Sequence, residues 1–272
     1  MPITKCAPPQ TSLHAVRAVE DLGGGGWTIT VEGPSPETLP GQFYMLRTEK
    51  RWPVLLPRPF SLYDRGADGE WGSFLMKAVG PGTRALVETR PGERIWLTGP
   101  LGNWFSDAIA DPVCVAGGVG LAPFLLLARR AIAMDRHPVR VLFGGRNEPG
   151  LAGASHFSGL ARLHLATEDG SVGHHGRVTG LLSVLLQSGQ VRAGETVYCC
   201  GPDPMMHATA KFCRDNDLRC FLSLETYMGC GYGVCNGCSV AVTGDRFKGW
   251  PYSKTCVQGP VYDALELVEL RH

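Results

Sequence analysis

The sequence predicts an antiparallel β barrel, then a doubly wound parallel α/β sheet, then a small cysteine-rich C-terminal domain. Residues 12 to about 105 carry short β-prone runs, WTITVE, QFYMLRT, FSLYD, GSFLMKAV and ERIWLTG, broken by turn signals such as GGGG at 23–26 and PG at 91–92. That spacing is the rhythm of a barrel. From about 112 it gives way to strand-like and helix-like runs: PVCVAGG, APFLLLARRAIAM, VRVLFGG, LARLHLAT, VTGLLSVLLQSG, ETVYCCG, DPMMHATAKFCRDN and RCFLSLE. Strands alternating with amphipathic helices imply a parallel sheet covered on both faces. The end of the chain holds Cys230, Cys235, Cys238 and Cys256 in the spacing C-x4-C-x2-C-x17-C. The expected divisions are 1–108, 109–224 and 225–272, the last too short to fold without leaning on what precedes it.

The chain has 272 residues, 44% of them apolar and 19% charged, enough to bury ordinary cores. Twenty-six basic against 25 acidic residues give a net charge of +1, with no basic run that would follow a phosphate backbone, so no nucleic-acid partner is expected. The start, MPITKCAPPQTSLHAV, has neither the apolar core nor the cleavage site of a secretory signal. The uncharged stretch 112–128 is too short, and too broken by Gly and Pro, to cross a bilayer. A soluble cytoplasmic protein without a membrane contact is expected. In that reducing compartment Cys6, Cys114, Cys199, Cys200, Cys213 and Cys220 read as free thiols.

In the barrel, Gly23–Gly26 read as a hairpin turn and not a phosphate loop, because no helix-forming segment follows. Arg58-Pro59-Phe60-Ser61 place on one strand a guanidinium able to fork onto a pyrophosphate, a flat apolar ring and a hydroxyl. MKAVGPGT at 76–83 adds backbone donors and the Thr83 hydroxyl. In the second domain Ala116–Pro123 lie between a predicted strand and a predicted helix, where small residues let a pyrophosphate approach backbone N–H groups. They do not match G-x-G-x-x-G, and packing alone also calls for small residues there. They are paired with CGPDPM at 200–205, at the end of a later strand, where open α/β sheets bind ligands. The GHHG of His174-His175 reads as a turn, and Glu225 precedes the cysteine loop as a candidate neighbour of the cofactor.

Three cysteines within nine residues, alternating with Gly231, Gly233 and Gly237, suit a loop whose backbone wraps an inorganic core and donates N–H bonds to sulfur. The C-x4-C-x2-C step is the plant-type iron–sulfur spacing, whereas a zinc ribbon shows two C-x2-C knuckles. The sequence favours a [2Fe–2S] cluster on Cys230, Cys235, Cys238 and Cys256, with structural zinc as the alternative.

The order R-x-x-S, G-T, GGxGxAP, CGPxPM resembles the ferredoxin–NADP reductase superfamily. That resemblance implies a ferredoxin reductase-like barrel binding FAD through Arg58, Pro59, Phe60, Ser61, Leu75, Met76, Lys77, Gly82 and Thr83. It implies NAD(H) bound by Gly117, Gly118, Gly120, Cys200, Gly201 and Pro202, with Cys200 beside the nicotinamide as the candidate catalytic residue. Many members carry Tyr where this chain has Phe60, which leaves stacking but removes a hydroxyl contact. SLETYMGCGYGVCNGCSV, SKTCVQGPVYDA, TGPLGNWF and TEDGSVGHHGRVT look like the electron-transfer subunits of heteromeric NAD-linked dihydroorotate dehydrogenase, over essentially the whole chain. The implied activity is a relay from NADH through FAD and a [2Fe–2S] cluster to an FMN-containing dihydroorotate dehydrogenase catalytic subunit, in a heterotetramer serving pyrimidine biosynthesis. The small subunit of NADH-dependent ferredoxin–NADP oxidoreductase and the γ subunit of cytoplasmic hydrogenases share the same motif cores. Arg146, after LFGG, sits where a 2′-phosphate could bind, at a position that is often basic without that role.

Overall fold

The structure, a computed structural model, describes residues 9–34, 37–109 and 111–268, so Cys6 lies outside the described residues. The first unit is a seven-stranded antiparallel sheet of β1 (Gln10–Gly23), β2 (Gly26–Glu32), β3 (Phe43–Thr48), β4 (Arg58–Ser61), β5 (Asp64–Arg65), β6 (Trp71–Lys77) and β7 (Arg94–Leu101). Their order is β4-β3-β7-β1-β2-β6-β5, and the sheet curls until β4 touches β6. Alternation decides what the barrel encloses. Along β7, Ile95 and Leu97 are buried while Trp96 and Thr98 are more open, and the two meet Ile29, Val31, Leu46, Phe74 and Met76 inside; Leu101 packs instead with Phe43, Met45, Cys238 and Cys256. The GGGG run is the β1–β2 hairpin, with Gly23 paired to Gly26. One helix was not expected: α1 (Pro81–Val87). Pro81 presets the first turn, and the Thr83 hydroxyl accepts the Gly80 N–H at 3.0 Å. Seven residues are too few to show a helical period in the sequence.

The second unit is a sheet of β8 (Val113–Gly117), β9 (Val139–Gly145), β10 (Ala161–Thr167), β11 (His174–His175), β12 (Thr196–Cys200) and β13 (Arg219–Ser223), in the order β11-β10-β9-β8-β12-β13. All these strands are parallel. The helices α2 (Ala122–Ala133), α3 (Val178–Gln187) and α4 (Asp203–Asp215) cover it. β8 and β12 are buried along their whole length, as central strands of a doubly wound sheet must be. The chain order reverses between them, which opens the ligand crevice at their C-terminal ends. Two details differ from expectation. GHHG is an edge strand, because His174 and His175 take up the free rim of β10 at Ala166 and Thr167. β9 passes to β10 through two short 3-10 turns, Glu148–Leu151 and Ala154–Phe157, instead of a full helix.

The third unit holds the hairpin β14 (Ser239–Ala241) and β15 (Tyr252–Lys254), then β16 (Val261–Asp263). β16 joins the second sheet antiparallel to β13, so the C-terminal segment completes the nucleotide sheet. Asn103, just after β7, staples it to the barrel. Its Nδ2 donates to the carbonyls of Gln258 (3.0 Å) and Val261 (2.7 Å), and its Oδ1 accepts the Val261 N–H at 2.8 Å. A shorter side chain removes all three bonds, and among the described residues only the Gln258 carbonyl keeps a second donor, Arg246 Nη2. Asn103→Ala is expected to weaken docking of β16 by about 2 kcal/mol, read as faster hydrogen exchange at the Val261 amide. Unchanged exchange there would show that the staple carries no load.

Candidate functional site

β4 presents Arg58–Ser61, all half-buried, and pairs with Phe43–Leu46 of β3. One arm of Arg58, Nη1, donates to the carbonyls of Leu56 (2.8 Å) and Pro57 (3.4 Å), which folds the preceding loop under it. Nε and Nη2 have no protein partner among the described residues, so the fork is still available to an anion. Leu75 is buried against the second unit, whereas Met76 is wholly inside the barrel core. Only the backbone of Met76 can face a ligand. Gly82 lies under Trp52, where an added Cβ would stand 3.1 Å from the indole ring. The indole Nε1 of Trp52 is buried without a hydrogen-bond partner. Sequence reasoning missed Trp52, since a lone tryptophan in a proline-rich run carries no period; its place six residues before Arg58 was the only signal. An uncommitted guanidinium, an orphaned indole N–H, the Phe60 ring and a shallow strand together fit a flavin dinucleotide.

Across the crevice, two loops interlock. A Cβ on Gly120 would meet the Cys200 carbonyl oxygen at 2.3 Å, and one on Gly117 would meet the Met205 sulfur at 2.6 Å. Gly201, at φ +155°, allows the same approach from the other side. Packing thus accounts for Gly117, Gly120 and Gly201. Gly118, at φ +56°, faces open space, and the nearest group to its missing Cβ is Lys77 Nζ at 3.9 Å. Lys77 closes β6, so the two nucleotide-facing units meet at this point. Pro202 caps α4, the helix behind the loop. Arg146 is exposed at the end of β9, and its carbonyl accepts the Asp169 N–H.

Cys200 ends β12 and is buried. Burial raises its thiol well above the usual range, the Glu225 carboxylate raises it further, and the Ser223 hydroxyl offsets this in part. At neutral pH it is therefore an uncharged thiol. An uncharged thiol is a poor nucleophile. Glu225 lines a cavity of about 160 Å³ with Asp203, His207, Leu222 and Leu224. Its carboxyl is raised by desolvation in that cavity and then by Asp203, although much of the side chain is open to solvent.

The four C-terminal cysteines fall into two pairs. Cys238 and Cys256 are buried with their sulfurs 3.2 Å apart. Cys230 and Cys235 are cross-linked by backbone donors: Cys230 Sγ accepts N–H groups of Val234 (3.3 Å) and Cys235 (3.5 Å), and Cys235 Sγ accepts those of Cys230 and Gly237 (both 3.5 Å). Left-handed Gly231, Gly233 and Asn236 turn the loop so that these amides face inward. Burial pushes the Cys230 thiol up, yet N–H bonds from Cys235, Tyr232 and Val234 outweigh it and bring it down to about 6. Burial and the neighbouring Cys238 push Cys256 up to about 12. Among the described residues no three His, Cys, Asp or Glu groups close on one point as a single ion requires. The donor set fits two irons with two thiolates each.

Curated relatives match nearly the whole chain. The electron transfer subunit of dihydroorotate dehydrogenase B (NAD(+)) from Clostridium acetobutylicum is 35% identical over 92% of this chain and 93% of its own length. The subunit of the same name from Shouchella clausii is 34% identical over 95% and 98%. The chain belongs to the electron transfer subunits of dihydroorotate dehydrogenase B. Residues 225–268 match the iron–sulfur cluster binding domain of dihydroorotate dehydrogenase B, and residues 114–211 an oxidoreductase NAD-binding domain. Among solved structures, the NADH-dependent reduced ferredoxin–NADP oxidoreductase aligns at a TM-score of 0.81 with 25% identity, over 95% of this chain and 90% of that one. The ferredoxin reductase of carbazole 1,9a-dioxygenase aligns at 0.66 with 21% identity, over 79% and 68%, and shows the ferredoxin reductase fold. As a dihydroorotate dehydrogenase B electron transfer subunit, the chain works with FAD, a [2Fe–2S] cluster and NAD(H).

Arg58→Ala is expected to weaken FAD retention about tenfold or more, and Lys77→Ala much less, because only a guanidinium binds two phosphate oxygens at once. Equal flavin content in wild type and Arg58→Ala removes Arg58 from the site. Cys200, uncharged and buried, is expected to resist iodoacetamide in the folded holoprotein at pH 8, as followed by peptide mass spectrometry. Rapid labelling would mean an accessible thiolate.

Proposed function

We propose that this chain carries electrons between NADH and a dihydroorotate dehydrogenase catalytic subunit, with FAD held by residues 1–108, NAD(H) by 109–224 and a [2Fe–2S] cluster by 225–272. The observation that carries this reading is Met45. It pairs with Pro59 across β3 and β4, beside the flavin-side arginine, and it is also the residue against which the cluster loop presses. A Cβ on Gly231 would lie 2.5 Å from Met45 Cγ. On the other side Lys77 faces Gly118, so the barrel touches both the cluster loop and the nucleotide unit.

FAD, when bound, supplies the step between two-electron exchange with NAD(H) and one-electron exchange with the cluster. The chain's own residues bind and orient. Arg58 and Trp52 hold the flavin side, Gly118 leaves the approach to Lys77 clear, Cys200 packs the nicotinamide end as a neutral thiol, and Cys230, Cys235, Cys238 and Cys256 hold iron. No general acid or base is needed. The cluster loop is also the exit: Cys235 is exposed, and the loop and its neighbours present Tyr227 (96% exposed), Val234 (73%), Tyr232 (53%), Val257 (49%) and Leu56 (42%). Met228, next to Tyr227 in the chain, instead packs inward against Phe43, Met45 and Leu101. This apolar rim is the contact proposed for the catalytic subunit. Among the described residues no helix is long and apolar enough to cross a membrane; a cytoplasmic location is proposed from the unbridged thiols of Cys114, Cys199, Cys200, Cys213 and Cys220. The 35% identity to electron transfer subunits, against 25% to the ferredoxin–NADP oxidoreductase, favours the dihydroorotate partner.

Anaerobically purified protein is expected to carry about two iron and two sulfide per chain, and Cys235→Ser to lose the cluster while keeping FAD. Zinc in place of iron overturns the cluster. Mixed with an FMN-containing dihydroorotate dehydrogenase catalytic subunit, the chain should form a stable complex coupling dihydroorotate oxidation to NAD reduction, and alone it should reduce only dyes with NADH. A complex that forms only with a ferredoxin–NADP oxidoreductase large subunit or a hydrogenase assigns the chain to that partner.

A further inference from the structure

A two-residue hairpin turn of this type needs left-handed backbone only at its two central positions. Gly24 (φ +59°) and Gly25 (φ +78°) meet that need, and Gly23, at φ +78°, also lies in the left-handed region. Gly26 does not: it is an ordinary β2 residue. Its lack of a side chain has a different cause. A Cβ at Gly26 would stand 2.5 Å from the Cβ of Ala152, and one at Gly24 would fall 1.6 Å from the carbonyl oxygen of Pro149. Both partners belong to the β9–β10 connection of the nucleotide unit. Gly23 and Gly25, by contrast, have nothing within 4 Å.

We propose that the tip of the β1–β2 hairpin is a seat for the segment Pro149–Ala152, and that this backbone contact fixes the angle at which the nucleotide unit faces the flavin barrel. The seat lies within a wider seam. Leu22 packs on the nucleotide-side core. The Tyr63 hydroxyl, on the barrel, lies 2.8 Å from His156 Nδ1, and Asp64 pairs with Arg129 of α2 at 2.6 Å. The seated segment continues directly from Gly144, Gly145 and Asn147 at the ligand end of β9, and Asn147 Oδ1 accepts the Gly150 N–H at 3.1 Å. The seat therefore begins four residues from the ligand end of β9 at Gly145. Gly24 and Gly26 are positioning residues: they touch no cofactor, and they act through the orientation of the two halves. This rests on the FAD and NAD(H) assignments above.

The test is a cycle at positions 26 and 152 in FAD-loaded protein, with two measurements: the rate of flavin bleaching on anaerobic mixing with NADH, and the urea midpoint. Gly26→Ala keeps an allowed backbone but forces the two units apart, and is expected to slow bleaching about 10- to 100-fold, the scale of a misplacement near 1 Å. Ala152→Gly removes the opposing methyl, so the double variant should recover most of the rate and the midpoint. Gly25→Ala, strained but unopposed, should lower the midpoint and leave the bleaching rate unchanged. If Gly26→Ala does not fold, Ala152→Val loads the same contact from the other side. Wild-type bleaching rates in Gly26→Ala, or a double variant no better than Gly26→Ala in either measurement, overturn the seat. A wild-type protein that NADH does not bleach, with the 26–152 midpoint coupling intact, overturns the relay and leaves the seat standing.

Discussion

Contact of backbone with backbone, with no side chain between, is the constraint on which the rest of this structure depends. Electron transfer requires three units to bring their cofactor residues close together, and each layer of side chains would add several ångströms. At the junctions the chain removes that layer. Gly24 lies against the Pro149 carbonyl and Gly102 against the Gly259 carbonyl, and a bare Gly231 lets the cluster loop rest on the Met45 side chain; within the nucleotide unit Gly120 lies against the Cys200 carbonyl in the same way. Glycine is costly in the unfolded chain, because it has more freedom to lose than any other residue. It is retained where proximity matters more than local stability.

Polar groups then lock what the glycines bring together. Asn103 satisfies both sides of the peptide chain around Val261 and holds the C-terminal unit to the barrel. Arg129 with Asp64, and Tyr63 with His156, tie the barrel to the nucleotide unit. These contacts are few and partly buried, and their value lies in specificity of placement more than in stability. The surroundings have opposite chemical effects at two kinds of cysteine, although burial raises the thiol at both. Cys114, Cys199 and Cys200 sit in the sheet interior, where desolvation keeps them protonated and inert. Cys230 sits in a loop whose amides point at sulfur, and there the thiolate is favoured. The same residue type is thus core filler in one unit and ligand in another, and the surrounding N–H groups decide which.

Much of the fold was legible because it rests on periodicity and local chemistry. The change from barrel to α/β rhythm near residue 112, the GGGG hairpin and the cysteine spacing each depend on residues close in sequence. The elements that escaped were those made by distant partners or too short for a period. α1 spans seven residues, GHHG becomes a strand only because β10 offers an open edge, and β16 exists only beside β13. Trp52 could not be read from its neighbours, since its role comes from lying over Gly82.

By itself, the sequence determined the three-part architecture, the iron–sulfur spacing and the order of the nucleotide motifs, because each is written in residues a few positions apart whose backbone demands are local. Only the tertiary structure decided what each glycine is for. Gly117, Gly120 and Gly201 fill contacts between loops, Gly118 keeps an approach open, and Gly26 seats a segment more than a hundred residues away. A missing side chain looks the same in every sequence context. The atom it would have struck is known only once the chain has folded back on itself.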